Sequence, residues 1–157
     1  MEHTGNVDRL DDAFIWKDNA GLTSLELGRS AGSQRLYANV DIIPPGAYST
    51  KYHSHTRQEE FFYILSGEGT LRTNEGEKQV KTGDFFAKPA GEGIAHTFYN
   101  SGTEPLRILD VGTQDAEDTC YYPDEKMYLH KMNGTRQIYS ETALDSEWQP
   151  APNPEKG

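Results

Sequence analysis

Between Leu22 and Tyr139 the chain breaks, at near-regular spacing, into short runs rich in aromatic and β-branched residues, each closed by glycine, proline or asparagine. No window of twelve residues in this region carries a helical apolar stripe, so strands joined by tight turns are the consistent reading, and many short strands imply a sandwich or barrel. The expected strands are Leu22–Leu27, Leu36–Ile43, Glu60–Ser66, Thr70–Thr73, Lys78–Lys81, Asp84–Lys88, Ala95–Asn100, Leu106–Val111, Lys126–Lys131 and Arg136–Tyr139. Pro44-Pro45-Gly46 ends one of them, while Asn74-Glu75-Gly76 and Asn133-Gly134 read as hairpin turns. With 157 residues the chain suits one domain with a self-supporting core. Residues 1–20 read as a lead-in anchored by Phe14 and Trp16, residues 21–139 as the barrel, and residues 140–157 as a loosely held polar tail.

Composition narrows the function classes. A net charge of −10 repels phosphate backbones, so no nucleic-acid partner is expected. The longest apolar run, Phe61–Leu65, falls far short of a bilayer span, and no basic amphipathic helix is legible, so no membrane partner is expected either. Cys120 is the only cysteine, which rules out an intrachain disulfide. The N-terminus shows no basic segment leading into an apolar stretch, and a cytoplasmic protein is the expectation.

The chemistry lies in the histidines. Three of the five fall in two short blocks, Gly46–Gly67 and Gly83–Asn100. His53-Ser54-His55 on a strand puts both imidazoles on one face, because side chains alternate with period 2. A turn after His55 is expected to bring the next strand back antiparallel, so that a carboxylate at its start faces the same point. His96, at the head of a later strand, supplies a fourth donor. Neutral imidazole suits divalent first-row metals, and three imidazoles with one carboxylate leave positions open for water or substrate.

These blocks resemble the cupin superfamily. His53, His55, Glu60 and Gly67 match its first motif, and Gly83, Pro89, Gly91, His96 and Asn100 its second. Two loops are longer than the family pattern, between Gly46 and His53 and between Gly91 and His96. The resemblance runs from Leu36 to Val111, and Asp118-Thr-Cys-Tyr-Tyr-Pro-Asp resembles a segment of small single-domain bacterial cupins. It implies an all-β double-stranded β-helix, or jelly-roll barrel, paired as a homodimer. It implies a divalent ion, zinc, manganese, iron or nickel, on His53, His55, Glu60 and His96. Between the adjacent Glu59 and Glu60, only Glu60 keeps the family distance to Gly67, and alternation groups it with Phe62 and Ile64, an apolar set suited to an interior.

Other residues are candidates without an assigned role. Lys51 shares the parity of His53 and His55 and faces either cavity or solvent. Phe98 and Asn100 share the face of His96. Tyr37, Asn39 and Asp41 alternate with Ala38, Val40 and Ile42, and one set lines the barrel. Cys120 reads as a buried thiol with no base placed for it. Phe61 and Tyr63, opposite Glu60, are candidates for the homodimer contact. The resemblance implies a metal-dependent enzyme on a small oxygenated ligand, such as a sugar or sugar phosphate in an isomerase-like reaction. Its rivals are an Fe(II)-dependent dioxygenase and a non-catalytic module that binds or senses a small molecule.

Overall fold

The structure is a computed structural model and describes residues 3–144. Among these residues the strands are β1 (Ile15–Lys17), β2 (Thr23–Glu26), β3 (Leu36–Ile43), β4 (Ser54–His55), β5 (Glu60–Ser66), β6 (Glu68–Thr73) and β7 (Gly76–Lys81). They continue with β8 (Phe85–Lys88), β9 (His96–Tyr99), β10 (Leu106–Thr113), β11 (Glu117–Tyr122), β12 (Met127–Met132) and β13 (Thr135–Ser140). Helix is confined, among the described residues, to one turn at Leu27–Ser30 and three short 3-10 turns. The last of these, Glu141–Ala143, opens the expected tail, whose remainder from residue 145 lies outside the described residues.

All pairings are antiparallel. One sheet runs β1-β2-β3-β10-β5-β8, and facing it are β13-β12-β11-β4 and β7-β6-β9. The last two are tied by bridges between His53 and His96 and between Tyr48 and Tyr99. The result is the expected all-β jelly-roll barrel. The ten expected strands all occur, two of them, Leu36–Ile43 and Glu60–Ser66, with the expected bounds. Two strands, β1 and β11, have no counterpart in the sequence reading, and the strand expected to carry His53 to His55 is β4, Ser54–His55. The lead-in thus contributes a strand to the sheet. Ile15, Trp16 and Lys17 pair with Leu25, Ser24 and Thr23, and Trp16 stays half exposed.

Burial alternates along β5: Glu60, Phe62 and Ile64 are inside, Phe61, Tyr63 and Leu65 outside. Phe62 and Ile64 join Leu22, Ile43, Leu71, Val80, Phe98, Leu106 and Ile108 in one apolar cluster. Each such side chain contributes about 1.5–3 kcal/mol when fully buried, so the barrel does not depend on a ligand for its core. A bulge at Leu65 shifts the β5–β10 register: Arg107 faces Ser66, but Ile108 faces Ile64. Gly67 then turns the chain at φ 87°, where a Cβ would sit 2.8 Å from the Pro105 carbonyl oxygen. Asn100, fully buried, donates to the carbonyls of Ile43 and Glu104 and accepts from Gly102 N–H, so it holds a turn.

Candidate metal centre

The four expected ligands come from three parts of the barrel and are all buried: His53 (8% exposed), His55 (7%), Glu60 (5%) and His96 (3%). The chain does not reach this arrangement as the spacing suggested. β5 does not pair with β4; residues 56–59 carry the chain across to the facing sheet. Glu60 therefore meets the imidazoles across the interior of the sandwich, and the backbone bridge from His53 to His96 brings the third ring alongside. One donor atom each from His53, Glu60 and His96 lies within 4.8 Å of the others. His55 adjoins this group, its Nε2 3.0 Å from His53 Nε2 and 3.6 Å from Glu60 Oε1.

Hydrogen positions follow from the partners of the other ring nitrogens. His53 Nδ1 lies 2.7 Å from the Lys51 carbonyl oxygen, and His55 Nδ1 lies 2.6 Å from Asp118 Oδ2. A carbonyl and a carboxylate only accept, so both Nδ1 atoms carry hydrogen and a neutral ring presents its Nε2 lone pair. Burial, then His55 and Lys88, push His53 down to about 4, so its ring is neutral at neutral pH. The Nε2 atoms of His53 and His55 converge to 3.0 Å, close enough to serve one cation. Glu60 Oε2, buried and paired with the Lys88 ammonium, faces the same space and lies 4.0 Å from His96 Nδ1. Three imidazoles and a carboxylate gathered at one buried place fit a divalent metal ion.

Several groups around the ligands were not singled out by the sequence reading. Lys88, 1% exposed, contacts Glu60 Oε2 and lies 3.1 Å from His96 Nδ1. Burial lowers its ammonium from the usual lysine value while Glu60 opposes that. At Glu60 burial raises the carboxyl, but Lys88, His55 and the Tyr37 hydroxyl together outweigh it and hold it below the usual range. Asp118 also lies below the usual range: burial raises it, and hydrogen bonds from His55 and the Arg57 N–H prevail. Strand parity was the available signal for Lys88, which alternates with Ala87 and shares a face with Phe86. Asp118 had no such signal, because β11 was not legible as a strand.

The face left open on β3 is settled by Tyr37 and Asp41, which line the interior. Tyr37 oxygen lies 2.8 Å from Glu60 Oε1 and 3.0 Å from Asp110 Oδ1, and Gln58 Nε2 donates to both Tyr37 and Glu60. Burial raises Asp41 to about 6 and, with the Asp41 charge beside it, carries Asp110 well above the carboxylate range. Lys51 is at the surface, 2.5 Å from Glu125. Glu59 is exposed, its backbone paired with Thr113. Cys120 is buried against His55 and Asp118, and burial pushes its thiol up to about 11.

The model of the cupin domain family matches residues 39–112, the stretch that carries all four donors. A solved structure of a putative sugar phosphate isomerase from Acidithiobacillus ferrooxidans is 31% identical, covers 83% of each chain and superposes with a TM-score of 0.79. The chain belongs to the cupin family. A sugar phosphate isomerase of the cupin superfamily from Silicibacter pomeroyi, 27% identical, matches this cupin over 90% of its length and 96% of the other chain, again with a TM-score of 0.79. Among curated sequences, an oxalate-binding protein of Thermotoga maritima is 36% identical over 77 residues, 49% of this cupin and 60% of that protein. The curated relatives are matched over only 47% to 60% of their lengths. No helix among the described residues is long and apolar enough to cross a membrane.

Proposed function

We propose that this cupin holds one divalent metal ion on His53, His55, Glu60 and His96 and uses it on a small oxygenated substrate of the sugar or sugar-phosphate class. The observation that carries the metal is the convergence of four buried donors, with His53 Nε2 and His55 Nε2 3.0 Å apart, Glu60 Oε1 3.6 Å from the latter, and His96 within 4.8 Å of His53 and Glu60. Two solved cupins described as sugar phosphate isomerases, matched over most of their lengths, favour the substrate class. A bound divalent ion supplies Lewis acidity, polarising a carbonyl or hydroxyl of the substrate. The chain's own residues orient and insulate the site. Asp118 and the Lys51 carbonyl hold the tautomers of His55 and His53, Tyr37 and Gln58 hold Glu60 Oε1, and Lys88 balances the carboxylate charge. Tyr122 stacks on His53 with ring centroids 5.6 Å apart and shields that ring from solvent.

A second reading, binding of a small oxyanion without turnover, draws on the resemblance to the oxalate-binding protein. Elemental analysis of protein purified without added metal, followed by turnover screening of the loaded protein on aldose–ketose pairs, separates the two. The expected result is one equivalent of zinc, manganese, iron or nickel and interconversion of a sugar or sugar phosphate. Protein that takes up no divalent ion refutes the centre. A loaded protein that binds these compounds and converts none leaves the binding module.

A further inference from the structure

The sheet that carries His55 on β4 continues through β11 and β12 to β13. Across it, register aligns His55 with Cys120, Leu129 and Ile138, and in the next row Asp118 with Lys131 and Arg136. Residues in register on neighbouring antiparallel strands project to the same face. Cys120 and Asp118 both touch His55 Nδ1 or its partner, so this is the face that looks onto the metal centre. Its far end is open to solvent: Ile138 is 68% exposed.

Lys131 and Arg136 stand directly opposite each other here, a like-charge pairing that is unfavourable unless something negative lies between them. Neither forms an ion pair among the described residues, in a chain whose net charge is −10. Asp118, the acid opposite Lys131, is taken up by His55, Thr56 and the Arg57 N–H. Lys131 and Arg136 stand on the same face as Asp118 and Cys120, the face turned toward the centre. At the usual strand spacing, β12 lies about 10 Å and β13 about 14 Å from β4. That span matches a five- or six-carbon chain with one end at the ligands and a phosphate at the other.

We infer that Lys131 and Arg136 form the anion subsite of this cupin, taking the phosphate of a substrate whose oxygenated end reaches the four-donor centre. The inference rests on the sugar-phosphate reading for its substrate and specifies which residues select the phosphorylated form. Arg136 offers a planar fork to two phosphate oxygens, and Lys131 a point charge beside it.

Calorimetric titration with ribose 5-phosphate and with ribose, on metal-loaded protein, tests it. Wild type is expected to bind the phosphorylated sugar at least about tenfold more tightly. Lys131→Gln/Arg136→Gln should bring the ratio near one, and Arg136→Lys alone should retain part of it. Lys78→Gln/Lys81→Gln, which removes the same charge from β7, should leave the ratio unchanged. A wild-type ratio near one, a ratio that survives in the Lys131/Arg136 variant, or an equal fall in both double variants overturns the subsite. Inorganic phosphate titrated into chelator-treated protein separates the subsite from the reaction. Binding that is lost in the Lys131/Arg136 variant upholds the subsite even where the loaded wild type converts no sugar, an outcome that refutes only the isomerase reading. No binding of inorganic phosphate to the chelator-treated wild type counts against the subsite itself.

Discussion

At Glu60 the two carboxylate oxygens have different surroundings: Oε1 accepts from Tyr37 and Gln58, while Oε2 meets Lys88 and looks toward His96, 4.0 Å away. Glu60→Gln removes the one anionic donor of the proposed set while keeping the shape of the side chain. Thermal melts with and without a chelator should show a metal-dependent stabilisation in wild type that largely vanishes in Glu60→Gln. Glu59→Gln, at an exposed position, should keep that stabilisation and change stability by within ~0.5 kcal/mol. The reverse pattern would move the ligand to Glu59. Asp41 gives a pH test at the same scale. Its folded value of about 6 lies above the ordinary 3.8, so folding favours the protonated acid. That contribution is full below about pH 3.8 and is lost as pH rises toward 6. Asp41→Asn cannot ionise, so its stability relative to wild type should rise by on the order of 2–3 kcal/mol between pH 4 and pH 7. Denaturant titrations giving a constant difference across that range would show that Asp41 is not the responsible group.

At the scale of elements, the site depends on a close fit between β3 and β10. Gly112 faces Tyr37 across that pair, and a Cβ there would fall 2.5 Å from Tyr37 Cε1 and 2.6 Å from its hydroxyl oxygen. Gly112→Ala should push the phenol off Glu60 and Asp110, costing about 1–3 kcal/mol from overpacking and weakening metal binding. In a Tyr37→Phe background part of this cost should disappear, since the hydroxyl contact is gone; a double-mutant cycle reads the coupling. Additive costs would mean that the two residues do not meet. β11 acts on the other side of the centre, where its Asp118 fixes His55 and its Tyr122 covers His53.

For the whole molecule, the outer face of the six-stranded sheet stands out. Phe61, Tyr63 and Leu65 on β5 are 42%, 38% and 38% exposed, and Phe85 on β8, opposite Tyr63, is 73% exposed. Large aromatic side chains gathered on one sheet face favour a partner surface. The partner we propose is a second copy of the chain, related by a two-fold axis so that the same patch serves both subunits. Sedimentation at micromolar concentration should give a dimer, and Tyr63→Glu/Phe85→Glu should give a folded monomer with unchanged metal content. A wild-type monomer, or a dimer untouched by the double substitution, would place the contact elsewhere or remove it.

Much of the barrel was legible because its information is local. Period-2 alternation placed Glu60, Phe62 and Ile64 on one face, and turn residues bounded β3 and β5. His-x-His, a carboxylate and a later histidine at family spacing named the four donors that the fold brings together. Three things needed the tertiary structure. A strand as short as β1, three residues long, carries too little pattern to be read, and β11 is largely polar. Whether Tyr37 and Asp41 or Ala38 and Val40 lined the interior depended on which side of β3 the facing sheets covered. The partners of the donors, Lys88 from β8 and Asp118 from β11, lie 28 and 63 residues from Glu60 and His55 along the chain, and only the pairing of strands distant in sequence, β5 with β8 and β4 with β11, brings them into contact.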